Sequence, residues 1–225
     1  MIALAIGAGL WLVWTQLLYP THMARYELIV EVETPAGIKT GSSVIEANYG
    51  WETKLFGLIS GVKNSVRGEA VFVDLGDGKN LVVTLRAGDE DRSSELNAQR
   101  LPSALFDFPS HDRIQTPEGI RKAMDAGIVD VPVGKLPFVV TFPVATDPMS
   151  VKKLNPLNIG ELFGSGYDIK RATIHITNKR PVEQIVSKLP WLVVVKGKLL
   201  TGKTTNFGAL YGLHSRDFKR TEDNP

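Results

Sequence analysis

The chain has 225 residues, 43% of them hydrophobic, and a formal net charge of +2. The part of the chain after the first twenty residues is long enough for one large domain or two small ones, and its apolar content is sufficient for a hydrophobic core. Cysteine is absent, which excludes disulfides, zinc–thiolate sites, cysteine nucleophiles and a lipidated N-terminal cysteine.

The N-terminal segment MIALAIGAGLWLVWTQLLY contains no charged side chain. As a helix, residues 2–19 would span roughly 27 Å, close to the thickness of a bilayer's hydrocarbon core. Trp11, Trp14 and Tyr19 lie toward the C-terminal end of this run, where amphipathic rings favour the membrane–water interface. The pattern predicts one transmembrane helix, a membrane anchor over residues 1–20.

Two other interpretations of this segment stay open: a cleaved signal peptide and a helix packed into a soluble core. A signal peptide has a basic N-terminal region and a small-x-small cleavage site. No Lys or Arg precedes the apolar run, and the nearest candidate site, after Ala24, has His22 at its third position back. We therefore expect a retained anchor. A short N-terminus before a large domain is typical of signal anchors, so we expect the folded domain outside the cytoplasm.

Small residues recur at a four-residue spacing inside the predicted anchor. Ala3 and Gly7 form one such pair, and Ala5 and Gly9 form another on a neighbouring helical face. Such pairs allow a second transmembrane helix to approach closely, although Gly and Ala are also common in membrane helices that have no partner. The expected partners are therefore membrane lipid and another membrane protein or complex.

Charge is distributed unevenly along the chain. Residues 21–150 carry 13 Lys and Arg against 18 Asp and Glu, a net charge of −5, whereas residues 151–225 carry 13 against 6, a net charge of +7. The basic part can face anionic lipid headgroups or an acidic partner, or it can be a set of solvated faces. Aromatic residues do not alternate with the basic ones, so we expect no nucleic-acid binding.

Alternation of apolar and polar residues predicts antiparallel hairpins. One strand covers residues 25–33, and a turn at 34–37 returns the chain along 38–47. An Asp77-Gly78 step predicts a second hairpin, because both residues tolerate positive φ. The remaining predicted strands and strand-like runs are 68–75, 80–86, 137–142, 167–177 and 192–196, and residues 51–63 form a connector of undetermined structure.

Short helices are predicted between these strands, at 93–105, 116–127, 156–163 and 181–188. The clearest begins with Thr116 as N-cap and Pro117 in the first turn, and ends at Gly127. The expected fold class is α+β, predominantly antiparallel β-hairpins with a few short helices, preceded by one N-terminal transmembrane helix. The expected domains are the anchor at 1–20, a β-rich domain at 21–196 and a basic, mostly irregular segment at 197–225.

Residues 197–204 (GKLLTGKT) match the phosphate-binding loop G-x-x-x-x-G-K-[ST]. That loop must open a helix, and the following residues 205–208 (TNFG) are a poor helix start. We therefore expect no nucleotide binding.

Other chemical candidates are weak. The four histidines stand singly; His175 lies within an alternating strand, which favours a surface or hydrogen-bonded position. Ser110-His111-Asp112 has the residue types of a catalytic triad, but sequence neighbours rarely point at one another. Asp89-Glu90-Asp91 lacks the spaced ligands of a calcium loop. We assign no catalytic, cofactor-binding or metal-binding residue and expect no cofactor.

Several phrases together resemble a family of bacterial, mostly proteobacterial, membrane proteins with one N-terminal apolar segment, to which no activity is assigned. The phrases are YELIVEVETPAGIKTGSSVIE, GEAVFVDLGDGKNL, FGSGYDIKRATIHIT, KLPWL and DFKR. The resemblance covers much of residues 25–192. It implies a bacterial source and an envelope location, and no functional residue.

Two hypotheses of function follow. The first is a single-pass envelope protein, not an enzyme, that acts through protein–protein contacts as an accessory subunit of a membrane complex. It rests on the predicted anchor and on its small-residue faces. The alternative is a membrane-anchored enzyme or small-ligand-binding domain whose pocket the sequence does not reveal. Convergent polar groups in a deep apolar pocket would favour the alternative.

Overall fold

A computed structural model describes residues 22–53, 60–87, 97–106, 117–195, 200 and 213–221, together with Gly7; for residues 50–53 and 60–64 it describes the backbone alone. Over these residues the protein has an α+β fold of two antiparallel sheets and a few short helices. The strands are β1 (His22–Thr34), β2 (Gly37–Thr53), β3 (Ser60–Glu69), β4 (Val71–Gly76), β5 (Lys79–Val83), β6 (Val129–Asp130), β7 (Val139–Thr141), β8 (Lys152–Lys153), β9 (Asp168–Ile176) and β10 (Lys219–Arg220). The helices are α1 (Leu101–Leu105), α2 (Pro117–Ala126), α3 (Gly160–Phe163) and α4 (Ile185–Lys188).

The first sheet has six strands in the order β10-β3-β2-β1-β9-β6, and the second has four in the order β4-β5-β7-β8. All strand pairs are antiparallel. The long β1–β2 hairpin forms the centre of the first sheet, and β4 packs across the face of both its strands. Gly41 allows this close crossing, because a Cβ there would lie 2.4 Å from the Phe72 carbonyl oxygen.

Period-two alternation explains how the second sheet lies between two cores. Val71 and Val73 of β4 point toward the first sheet and join a core with alternate residues of β1, including Val30. Phe72 and Val82 point the opposite way and pack against a second core, around Trp191 and Phe218. The second sheet is thus covered on both faces.

The two predicted hairpins are confirmed. β1 and β2 pair from His22–Tyr49 to Thr34–Gly37. The turn between β4 and β5 contains Asp77 at φ 52° and Gly78 at φ 73°, as the Asp-Gly step predicted. Strands also occur at the predicted positions 137–142 and 167–177, as β7 and β9.

The predicted strand over 68–75 is wrong in its boundaries. Gly68 has φ +137°, and the chain passes there from the first sheet into the second, so that β3 ends at Glu69 and β4 begins at Val71. Burial does not change at this point, because Gly68, Glu69, Ala70 and Val71 are all buried. Part of the undetermined connector at 51–63 belongs to β2 and β3.

The predicted strand-like run at 192–196 is also wrong where the structure describes it. Pro190–Val193 form a 3₁₀ helix, in which the Leu192 N–H donates to the Leu189 carbonyl at 3.1 Å. Trp191 and Leu192 are both buried, so consecutive apolar residues pack into the second core from a turn.

The predicted helices are present, and all but α2 are shorter than predicted. α2 begins at Pro117 and ends at Ala126, before Gly127, which has φ +70°. The predictions at 93–105, 156–163 and 181–188 contain α1, α3 and α4, each of five residues or fewer. Within the C-terminal segment, Leu213 and Phe218 are fully buried in the second core, and β10 pairs with β3.

Gly78 provides a test of the second hairpin. Gly78→Val should destabilise the protein by about 1–2 kcal/mol, since a β-branched residue is strained at positive φ, and no neighbouring atom within 4 Å would clash with a new Cβ. Thermal unfolding followed by circular dichroism measures the change. Gly134→Ala is the control, because Gly134 lacks positive φ and its Cβ would meet Leu157 at an ordinary 3.8 Å. An unchanged midpoint for Gly78→Val would contradict the turn.

Candidate functional site

A groove of about 530 Å³ lies beside β2, where the first sheet, the second sheet and the chain after β9 meet. Its volume is within the range of about 300–1,000 Å³ that is typical of ligand sites. It is lined by two strands of the first sheet, by the passage from β3 to β4 and by the segment that leads into α4. We call it the β2 groove; its lining residues are Glu27, Ser42, Ser43, Val44, Glu69, Ala70, Phe72, Lys179, Arg180, Val182, Gln184, Ile185 and Lys188.

The groove exists because β3 covers half of β2. β3 pairs with β2 from Ile45 to Thr53, while β1 pairs with β2 from Gly37 to Tyr49. Residues 38–44 of β2 therefore have β1 on one side and no strand on the other, within the part of the chain that the structure describes. Gly68 is where β3 turns away, and a Cβ there would approach the Val44 carbonyl oxygen to 2.9 Å.

Hydrogen bonds of the neighbouring strands show which backbone groups of β2 are unpaired. The Thr177 N–H donates to the Arg25 carbonyl at 2.8 Å, so odd-numbered residues of β1 point their backbone groups toward β9. The even-numbered residues of β1 consequently bond to the odd-numbered residues of β2. The N–H and C=O groups of Thr40 and Ser42 then point away from β1, toward the free edge.

Glu69 fixes the far wall of the groove. Its buried carboxylate accepts hydrogen bonds through Oε2 from the backbone N–H groups of Gln184 (2.6 Å) and Ile185 (2.8 Å). Lys219 Nζ lies 3.7 Å from Oε1, and it also donates to Glu183 at 2.8 Å. Two amides and an ammonium group compensate the buried charge. Through these contacts Glu69 joins β3, the start of α4 and β10 at one point.

A second carboxylate, Glu27, holds the opposite wall. Lys179 Nζ donates to Oε2 at 2.8 Å and Ser42 Oγ donates to Oε1 at 3.1 Å. His175 Nε2 lies 3.6 Å from Oε2. The hydrogen bond from Lys179 is the main cause that lowers the pKa of Glu27; partial burial opposes it, and Ser42 and His175 lower the pKa further. Glu27 thus links β1, β2 and the chain after β9.

Two cations of the groove remain uncompensated. Arg180 and Lys188 are both exposed, and neither forms an ion pair with any residue that the structure describes. Glu27 is paired with Lys179, and Glu69 with Lys219 and two amides. The groove therefore presents positive charge above an apolar floor formed by Ala70, Phe72 and Ile185.

The sequence-predicted positions are described only in part. Of the anchor residues, Gly7 alone is described, and it is exposed; Ala3, Ala5, Gly9, Trp11, Trp14 and Tyr19 lie outside the described residues. So do Ser110-His111-Asp112, Asp89-Glu90-Asp91 and, apart from the buried Leu200, the GKLLTGKT stretch. No helix among the described residues is both long enough and apolar enough to cross a membrane.

His175 lies on β9, where the sequence favours a surface or hydrogen-bonded position. Its ring is partly buried instead, and its Nδ1 atom is buried without a hydrogen-bond partner in the described part of the protein. No group of three or more His, Cys, Asp or Glu side chains in that same part is placed to hold a metal ion. The groove residues were not predicted from the sequence. The signal that could have indicated them is the Arg67-Gly68-Glu69-Ala70 step, a glycine and a carboxylate between two apolar strands.

Comparisons with protein-family models, with curated proteins and with solved structures find no match to this chain.

Glu27→Gln tests the cluster on the first wall. Because the pKa of Glu27 is lowered from its ordinary value of 4.5, its ionised form stabilises the fold above that pH, and this contribution is lost as the pH falls through the lowered folded-state value. We expect Glu27→Gln to lower the free energy of unfolding by about 0.5–1 kcal/mol at neutral pH. This range allows for solvent screening of the exposed Lys179. The difference from wild type should shrink as the pH falls below 4.5.

Denaturant unfolding at neutral pH and at about pH 3 measures this difference. Glu118→Gln is the matched control, since Glu118 also pairs with a lysine, Lys122, but on a fully exposed helix face. Because solvent screens this exposed pair, Glu118→Gln should cost less stability than Glu27→Gln. A loss for Glu27→Gln that is equal at both pH values would show that packing, and not the ion pair, is responsible.

Proposed function

We propose that this protein is a single-pass, membrane-anchored envelope protein that acts through protein–protein contacts, as an accessory subunit of a bacterial membrane complex. Residues 1–20 are the anchor, and the folded domain lies on the periplasmic side. The uncharged, aromatic-flanked N-terminal segment supports the anchor, and the resemblance to bacterial membrane proteins supports the envelope location.

The observation that carries the contact function is the β2 groove. Within the described part of the chain, residues 38–44 of β2 have no strand on one side, beside an apolar floor, and Arg180 and Lys188 lie at the same surface without a carboxylate partner. Unpaired strand edges are templates for pairing with another chain, and natural proteins usually cover or block them. An accessible edge in a charged groove is therefore best explained by a protein partner.

Purification of the tagged full-length protein from native membranes in mild detergent tests the proposal. We expect one membrane protein to be retained in fixed proportion by the wild type and lost with Arg180→Glu/Lys188→Glu. Lys152→Glu/Lys170→Glu is the matched control, with the same charge change at exposed lysines outside the groove. Retention of no protein, or the same proteins with both double variants, would contradict a contact function at this site.

The anchor requires a separate test. Full-length protein should stay in the membrane pellet after a high-salt or alkaline wash, because extracting apolar side chains into water is unfavourable. Deletion of residues 1–19 should produce a soluble, folded fragment, since β1 begins at His22 and the described members of both cores all follow it in the chain. A mature N-terminus near Arg25 would show cleavage, and an insoluble deletion fragment would show that the segment belongs to the core.

A further inference from the structure

We infer that the β2 groove binds an extended, acidic segment of a partner protein, which adds as a further strand to the free edge of β2. This inference rests on the proposed contact function and specifies its mode and its ligand.

The free edge is suited to a polypeptide backbone. Residues 38–44 extend over about 23 Å at about 3.3 Å per residue, and Thr40 and Ser42 each present an N–H and a C=O at the free edge. Ser42 lines the groove, and Thr40 lies on the same edge next to it. Only another peptide chain offers donors and acceptors at the same alternating spacing. A lipid headgroup or a nucleic-acid phosphate could satisfy the N–H groups but would leave the carbonyl groups unpaired.

The edge lacks the usual devices that prevent strand addition. Ile38 is 51% exposed, and Thr40 and Ser42 are exposed and uncharged. Edges are normally protected by proline, by a bulge or by a charged side chain at the edge. Lys39 is the one charged residue within 38–44, and it shares the face of its register partner Val32, which is buried against the second sheet.

The groove matches the alternating side chains of an added strand. Residues on one face of that strand would lie over the apolar floor of Ala70, Phe72 and Ile185. Residues on the other face would be on the solvent side. Alternate apolar and polar residues are therefore the expected ligand pattern.

Charge selects the polar residues of that pattern. Glu27 is paired with Lys179. Glu69 accepts two backbone amides through Oε2, and its Oε1, which has no hydrogen-bond partner among the described residues, lies 3.7 Å from Lys219. Arg180 and Lys188 remain to pair with carboxylates supplied from outside. The favoured ligand is an extended segment that alternates aliphatic and acidic residues.

A synthetic octapeptide that alternates Val and Glu, with blocked ends and a fluorophore, is the probe. Its binding to the full-length protein in detergent micelles is measured by fluorescence anisotropy. Two peptides are compared with it: one with Lys in place of Glu, and one with every backbone nitrogen methylated. We expect the Val–Glu peptide to bind at least tenfold more tightly than either.

Variants of the protein test the edge and the charge separately. Thr40→Pro removes one outward-pointing N–H from the edge of β2 and leaves the hydrogen bonds between β2 and β1 in place. Proline is tolerated in edge strands. It should weaken binding of the Val–Glu peptide at least tenfold with unchanged circular dichroism. Arg180→Glu/Lys188→Glu should weaken it similarly, whereas Lys152→Glu/Lys170→Glu should not.

Each other outcome overturns the inference. Equal binding of the methylated peptide excludes strand addition, and equal binding of the Val–Lys peptide excludes selection by charge. Displacement of the Val–Glu peptide by short-chain phosphatidylglycerol would identify a lipid site instead. Failure of all peptides to bind also refutes it. The proposed function is then tested separately, with the native partner. If Arg180→Glu/Lys188→Glu loses that partner and Thr40→Pro retains it, the contact function holds and strand addition is rejected.

Discussion

The departure of β3 from the first sheet at Gly68 is the constraint on which the rest of this structure depends. Gly68 adopts φ +137°, which side-chain-bearing residues rarely adopt, and its backbone lies against Val44 too closely for a Cβ. The turn carries the chain across β1 and β2 into the second sheet, where Gly41 permits contact with Phe72. The same turn ends the pairing of β2 at Ile45 and so creates the free edge.

Glu69, the next residue, makes this departure stable. A buried carboxylate is costly unless it is paired and hydrogen-bonded, and here two backbone amides and Lys219 surround it. These partners come from sequence positions far from Glu69, so the ionised group brings together three separate parts of the chain. The contacts of Glu69 therefore both form the far wall of the groove and support the second core. Removal of Glu69 would leave buried amides unpaired as well.

The opposite wall depends on a similar arrangement at the surface of the first sheet. Glu27 receives Lys179 and Ser42, and His175 lies beside it. Because both carboxylates are already compensated, the net positive charge of the C-terminal part of the chain reaches the groove as Arg180 and Lys188. Two of the basic residues behind the charge asymmetry of the sequence therefore lie at the groove, and the proposed acidic partner would meet them there.

The sequence alone determined the elements whose signal is local. Alternation predicted β1, β2 and β9, the Asp77-Gly78 step predicted its turn, and Pro117 with Gly127 bounded α2, since each depends on backbone preferences within a few residues. Tertiary structure alone decided where β3 ends, that residues 190–193 form a 3₁₀ helix, and that Phe218 is buried against Trp191. It also decided the groove, because Glu69 meets Gln184 and Ile185 across more than a hundred residues. Such contacts depend on how sheets pack over one another, and no periodicity in the sequence records that packing.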